Sequence, residues 1–135
     1  MEMLHTALRV GDMERSKRFY TEALGMQILR EADRSEQQYS LCFLGYDRES
    51  AYVELIYNYG VDSYDIGTGF AHIAISCDDV SMTCQQIRDL GYTVLREPGP
   101  IKGGETRIAF VQDPDGYRIE LIQRSLKAIL DPNRK

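Results

Sequence analysis

Two residue types that could bind a cation recur at matching places in this chain. His5 and His72 are its only histidines, and each opens an alternating, strand-like segment, HTALRV and HIAIS. Glu54 lies 49 positions beyond His5, and Glu120 lies 48 beyond His72, each inside a further apolar segment, VELIY and IELIQ. A single histidine on a strand is more often hydrogen-bonded or exposed than a ligand, and a single strand glutamate usually belongs to a solvated face. Recurrence of both types in equivalent places changes that balance. An unpaired carboxylate in apolar surroundings is costly to bury, and two of them beside two imidazoles are most simply explained by a divalent cation. The set His5, Glu54, His72 and Glu120 mixes nitrogen and oxygen donors without thiolate. It suits a six-coordinate metal that keeps two positions for water or substrate.

The elements that must carry these residues form a repeat. LHTALRVGDMERSKRFYTEALGMQIL (4–29) is matched by AHIAISCDDVSMTCQQIRDLGYTVL (71–95). His5 and Asp12 recur 67 positions on as His72 and Asp79, and Gly25 and Leu29 recur 66 positions on as Gly91 and Leu95. Phe43 corresponds to Phe110, and Val53-Glu54-Leu55 to Ile119-Glu120-Leu121. Short repeats indicate solenoids; two copies of this length indicate a duplicated module.

Each copy reads as one strand, one helix and three strands. In the first, residues 4–10 alternate as a strand, Asp12 caps a helix over Met13–Leu24, and Gly25 ends it. Strands follow near 26–32, 38–45 and 51–57. In the second, a strand at 70–76 precedes the cap Asp79 and a helix near 80–90. Val80, Cys84, Ile87 and Leu90 are expected on the buried face of that helix, and Gly91 stops it. Strands follow near 92–97, 105–112 and 117–123, the last two joined by the turn Asp113-Pro114-Asp115-Gly116. The expected organisation is a single α+β domain of two tandem βαβββ modules. Module 1 covers about 1–57, a linker 58–69, module 2 about 70–123, and a tail 124–135 has room for one short helix.

Strand alternation then sorts the side chains. His5, Ala7 and Arg9 share one face of their strand; Tyr52, Glu54, Ile56 and Asn58 share one face of theirs. In the second copy, His72, Ala74 and Ser76 align, as do Arg118, Glu120 and Ile122. The opposite faces are the more apolar and await the helices. One histidine and one glutamate per module are thereby left on the open, concave face.

Composition narrows the class. A length of 135 residues suits one compact domain, and 43% hydrophobic with 27% charged residues is ordinary for a globular chain. No apolar run is long enough for a membrane span, and Met1-Glu2 does not open a signal peptide, so a soluble, unprocessed protein is expected. A net charge of −5 without basic clusters argues against nucleic acid. Cys42, Cys77 and Cys84 are odd in number and fall inside expected elements. Reduced thiols and a cytoplasmic location follow as the default.

The stretches LHTALRVGDMERSKRFYTEALGM, LCFLGY, VELIYNYGVDSYDIGTGFAHIAI, GPIKGG and AFVQDPDGYRIELI together span residues 4–123. In them the chain resembles the short bacterial glyoxalase I family of the vicinal oxygen chelate superfamily. FYTEALGM and DPDGYRIEL mark only the superfamily, whereas ELIYNYGVDSY followed by FAHIAI is more specific. The resemblance places the four family metal ligands on His5, Glu54, His72 and Glu120. It implies a lactoylglutathione lyase, a carbon–sulfur lyase that isomerises the hemithioacetal of methylglyoxal and glutathione to S-D-lactoylglutathione through an enediolate whose charge the metal stabilises. Glu120 is the implied proton donor and acceptor, and Glu54 a second base for the other hemithioacetal diastereomer. Arg9 and Asn58 match family contacts to the γ-glutamyl end of glutathione. Lys102, in the glycine-rich GPIKGG loop, is a candidate for the glycyl carboxylate, and His72 lines the substrate as well as the metal. Tyr39, Phe43 and Phe110 are expected as core or pocket lining.

The resemblance also bears on metal and assembly. A short chain without the insertions of zinc forms, carrying His5 where many of those have Gln, favours Ni2+, with Co2+ also active and Zn2+ the alternative. One module supplies half a site, and the family implies an eight-stranded incomplete barrel completed in a homodimer, although residue patterns alone are equally compatible with an intrachain site. Other superfamily chemistries fit less well. Extradiol dioxygenases and fosfomycin-resistance enzymes need two histidines and one glutamate, a methylmalonyl-CoA epimerase needs a nucleotide site without a signature here, and metal-free antibiotic-sequestering modules need none of the four residues.

Overall fold

The computed structural model describes residues 1–48 and 51–124. The chain divides into two compact units, Met1–Ile66 and Gly67 onward, and each repeats the same plan. The short helix expected in the tail lies outside the described residues.

The first unit runs β1 (His5–Arg9), α1 (Met13–Arg18), β2 (Gln27–Arg34), β3 (Tyr39–Gly45) and β4 (Tyr52–Asn58). Its sheet has the order β1-β4-β3-β2. β1 lies parallel to β4, and the other pairings are antiparallel. Asp12 stands in extended backbone, and its carboxylate accepts from the Arg15 N–H at 3.0 Å, which satisfies one of the donors a helix start leaves open.

The helix expected over 13–24 is not uniform. The α-helix stops at Arg18, and Phe19–Ala23 continues as a π-helical turn, closed by the Leu24 N–H donating to the Phe19 carbonyl at 3.3 Å. Hydrogen bonding to the fifth residue widens the turn, so neighbouring side chains point in more nearly the same direction. Phe19 and Tyr20, adjacent in sequence, are both fully buried, with rings 5.1 Å apart and edge to face. Gly25, at φ +70°, ends the segment. The core beneath is Leu8, Val10, Leu24, Cys42, Leu44, Val53 and Leu55, the alternate face of each strand from the one that carries His5 and Glu54.

The second unit runs β5 (Ile73–Cys77), α2 (Val80–Asp89), β6 (Val94–Pro100), β7 (Arg107–Gln112) and β8 (Arg118–Gln123), in the sheet order β5-β8-β7-β6. Again the first and last strands are parallel. Asp79 caps α2 through the Met82 N–H at 3.0 Å. Val80, Cys84 and Ile87 are buried as expected, but Leu90 is exposed. It is the C-cap residue, one position before Gly91 at φ +93°, and there the chain leaves the helical stripe. Ile108, Ala109, Val111, Tyr117, Ile119 and Leu121 fill the core. Buried Asp113 closes the β7–β8 turn by accepting from the N–H groups of Asp115 and Tyr117, each at 2.9 Å. The architecture is thus α+β, two βαβββ modules with four strands each. Among the described residues no helix is long and apolar enough to cross a membrane.

Candidate active site

In the first unit His5 opens β1 on the face away from α1. The parallel register sets His5 beside Tyr52 and Ala7 beside Glu54, so the imidazole and carboxylate meet diagonally, with His5 Nε2 3.8 Å from Glu54 Oε2. Phe43 is the Cα partner of Glu54 across β3–β4. Its ring meets the imidazole edge to face at 5.5 Å, while Tyr52 stacks on His5 at 5.7 Å. The Glu54 side chain is 14% exposed and that of His5 32%.

The second unit repeats this arrangement with different neighbours. His72 lies one residue before β5, its Nε2 3.6 Å from Glu120 Oε1. Phe110 is the Cα partner of Glu120, and its ring meets His72 edge to face at 5.4 Å. The Glu120 side chain is also 14% exposed. The position equivalent to Tyr52 is Arg118, so only His5 has a stacked aromatic partner of this kind.

Both separations exceed hydrogen-bond length, yet both are shorter than twice the metal–ligand distance of about 2.1 Å for imidazole and carboxylate ligands. One cation can therefore touch both members of a pair. Within either unit the described His, Cys, Asp and Glu side chains form no group of three or more able to hold a metal. Each unit offers two donors, half of the four-residue set. The donor chemistry, neutral imidazole with carboxylate, fits a borderline divalent ion.

The other candidates lie further along the strands. Arg9 ends β1 on the His5 face and is exposed, opposite Ile56. Asn58 ends β4, and its side-chain amide donates to the Tyr64 hydroxyl at 3.0 Å. Tyr39, half-buried, is the Cα partner of Asn58. Lys102 is exposed in a turn closed by the Gly104 N–H donating to the Ile101 carbonyl at 3.0 Å, with Gly103 at φ +81°. That turn caps the β6–β7 hairpin beyond the Pro100–Arg107 pair, at the end of the sheet where β8 finishes. Lys102 is therefore several residues along the sheet from Glu120.

Two groups near the first pair escaped the sequence reading. Arg30 is the Cα partner of Phe43 because a bulge between Ile28 and Arg30 shifts the β2–β3 register. Its guanidinium lies 6.0 Å from the centre of the Phe43 ring. Arg48 lies beyond β3 and donates to the Leu29 carbonyl at 3.2 Å. The recurrence of Arg30 as Arg96, 66 positions on, was the available signal for the first; nothing in the sequence pattern pointed to the second.

Paired four-stranded modules, each with a His–Glu pair on its open face, are the plan of one superfamily. Residues 2–121 match the Glyoxalase/Bleomycin resistance protein/Dioxygenase superfamily, and the chain belongs to it. Within it the chain is 55% identical over 125 residues to a lactoylglutathione lyase of Escherichia coli O157:H7, an alignment covering 91% of this chain and 93% of that one. Among solved structures it is similar to glyoxalase I from Zea mays, with 54% identity and a TM-score of 0.89 over 92% of this chain. This chain spans 45% of the maize chain's length. The trypanothione-dependent glyoxalase I of Leishmania major matches at 46% identity and a TM-score of 0.82, covering 91% of this chain and 86% of that one.

Proposed function

We infer that this protein is a lactoylglutathione lyase, converting the hemithioacetal of methylglyoxal and glutathione to S-D-lactoylglutathione. The observation that carries the reading is the duplicated His–Glu pair, His5 with Glu54 and His72 with Glu120, at equivalent register positions. The high identity to a bacterial lactoylglutathione lyase supports it over nearly the whole chain.

His5, Glu54, His72 and Glu120 would hold the metal. The histidine at position 5 favours Ni2+, with Co2+ as an active substitute and Zn2+ as the alternative. When bound, the ion supplies Lewis-acid stabilisation of negative charge on neighbouring substrate oxygens. The chain's own residues do the remainder. The Glu120 carboxylate accepts the proton from the carbon bonded to sulfur and returns it to the adjacent carbon, as one group serving as base and then acid. Glu54, equally shielded, is placed to do the same for the opposite diastereomer. Phe43 and Phe110 wall the two carboxylates from water, which strengthens every charge interaction there. Arg9 and Asn58 are assigned to the γ-glutamyl group of glutathione, with the guanidinium matched to its carboxylate. Lys102 is assigned to the glycyl carboxylate, and its turn is the segment that closes over the substrate.

Because each unit brings two ligands, two units must meet around one ion. We place His5 and Glu54 of one chain against His72 and Glu120 of the partner subunit, giving a homodimer with two sites. A cytoplasmic location agrees with glutathione as cosubstrate and with three free thiols. The deciding assay is thioester absorbance from methylglyoxal plus glutathione, with Ni2+ added back to metal-stripped protein. Metal-dependent thioester formation is expected; its absence with every divalent ion tried would overturn the assignment.

A further inference from the structure

The parallel register of β1 and β4 sets His5 beside Tyr52 and Arg9 beside Ile56. His5 meets Glu54 on the diagonal, two residues beyond its own partner. The same diagonal, four residues further along both strands, brings Arg9 to Asn58 at the end of β4. Alternation keeps this second pair on the face of the first. The function proposed above assigns it to the γ-glutamyl end of glutathione, which carries a carboxylate and an ammonium on one carbon. A guanidinium answers the carboxylate. The ammonium only donates, so it needs an acceptor.

Asn58 can supply that acceptor in one orientation only. Its Oδ1 accepts, whereas its Nδ2 donates and would repel an ammonium. The terminal torsion of an asparagine is broad and roughly two-fold, so an amide without a partner presents either atom. Here the amide is held. Nδ2 donates to the Tyr64 hydroxyl at 3.0 Å, and Oδ1 receives no hydrogen bond among the described residues. The guanidinium of Arg9, a group with donors only, favours the same orientation from its own side.

Tyr64 reaches Asn58 because the chain turns sharply where β4 ends. The Tyr59 N–H donates to the Gln38 carbonyl at 2.9 Å, which fastens the start of the segment beside β3. The Val61 N–H donates to the Asn58 carbonyl at 3.1 Å, closing a turn through Gly60 at φ +79°. The half-buried Tyr64 then returns its hydroxyl to the strand end that the chain has just left.

We propose that Tyr64 is a positioning residue for thiol recognition: its hydroxyl turns the Asn58 amide so that Oδ1 faces the γ-glutamyl ammonium, and the enzyme thereby selects thiols that carry this amino group. The inference rests on the function proposed above. Tyr64 acts through Asn58 and touches no substrate atom. Its contribution is an orientation fixed before the thiol arrives, which spares the complex the cost of ordering the amide.

The test compares kcat/KM for two hemithioacetals of methylglyoxal, one with glutathione and one with glutaryl-cysteinyl-glycine, which keeps both carboxylates and lacks the amino group. The wild type should prefer glutathione by at least about tenfold, as a charge-assisted contact warrants. Tyr64→Phe keeps the ring and should reduce that preference about threefold, with the loss carried by KM and not by kcat. Asn58→Ala should abolish the preference, and Tyr64→Phe added to it should cost nothing more, the signature of one residue acting through the other. Asn58→Asp should retain the preference with or without Tyr64→Phe, because a carboxylate presents an acceptor whichever way it turns.

Glutathione turnover without any amino preference in the wild type would overturn this inference and leave the proposed function standing. So would equal weakening of both thiols in Tyr64→Phe, which would make the hydroxyl a tie for its loop alone, or an undiminished preference in that variant. A further loss of preference on adding Tyr64→Phe to Asn58→Ala or to Asn58→Asp would overturn it too, since Tyr64 would then act on the thiol independently of the amide. No thioester from either thiol in the metal-loaded wild type would remove the proposed function, and this inference with it.

Discussion

Glu54 and Glu120 hold the same register position in their sheets, each the Cα partner of a phenylalanine and each with its side chain 14% exposed. Each also has one imidazole nitrogen within 4 Å, at 3.8 Å and 3.6 Å. Two carboxylates so alike in shielding and partner make the division of labour proposed between them a question of substrate stereochemistry.

Replacing Glu120 by Gln keeps an oxygen donor in nearly the same volume but removes the group proposed to take the proton. Turnover should fall by about 10²- to 10⁴-fold, the usual worth of a positioned general base. Metal content, measured by elemental analysis of dialysed protein, should remain at half the wild-type level or above. Glu54→Gln should give a smaller loss, concentrated in the diastereomer handled by that side. Near-native activity of Glu120→Gln would remove its assignment.

A shared site has a particular signature in mixed dimers. His5→Ala and Glu120→Gln are each expected to be inactive as homodimers. In a heterodimer with swapped half-sites, both changes fall in one site and the other is intact. After subunit exchange, about a quarter of the wild-type activity should return, as expected for random pairing in a two-fold dimer. Exchange verified by mass spectrometry with no recovery would place all four ligands in one chain.

The four proposed ligands were legible because they recur: the offsets of 67 and 66 tie His5 to His72 and Glu54 to Glu120, and strand alternation then faces each pair the same way. Arg30 was signalled only by its recurrence as Arg96, and strand alternation pointed the other way. Simple alternation along β2 would pair Leu29 with Phe43 and turn Arg30 toward buried Cys42 on the helix side. The bulge between Ile28 and Arg30 inserts one residue and returns Arg30 to the face of Phe43. The π-turn at Phe19–Ala23 was hidden for a related reason. An apolar pattern reports which residues want burial, and a helix can widen by one residue to bury Phe19 and Tyr20 together without changing that pattern.

The thiols provide a prediction about pH. Burial pushes Cys42 and Cys84 up to about 11 from an ordinary value of 9.0, and it raises Cys77 as well. A group with a raised value in the folded state binds its proton more tightly there than in the unfolded chain. The stabilisation is therefore complete below about pH 9 and is lost as pH rises toward 11. Denaturant unfolding midpoints should be flat with respect to these thiols from pH 7 to 8.5 and should fall above pH 9. Cys84→Ala should flatten part of that alkaline slope. In the same pH 7 to 8.5 range, iodoacetamide should leave Cys42 and Cys84 unmodified in the native protein, since only the thiolate reacts.

The start of α2 gives the last prediction, one that separates stability from chemistry. The Asp79 carboxylate accepts from the Met82 N–H at 3.0 Å, and the Gln123 side-chain oxygen on β8 accepts from the Val80 N–H at 3.0 Å. Two of the donors left open at the helix start are thus satisfied, one locally and one by the strand that carries Glu120. Asp79→Ala removes only the local one and should cost about 1 kcal/mol. Gln123→Ala removes the tie between helix and strand at a similar cost. Asp79→Ala should lower the midpoint of thermal unfolding while kcat and KM at 25 °C stay at their wild-type values, because its carboxylate serves the helix start and not the His–Glu face. A lowered kcat in Asp79→Ala at a temperature where the protein remains folded would mean that the cap also positions the site.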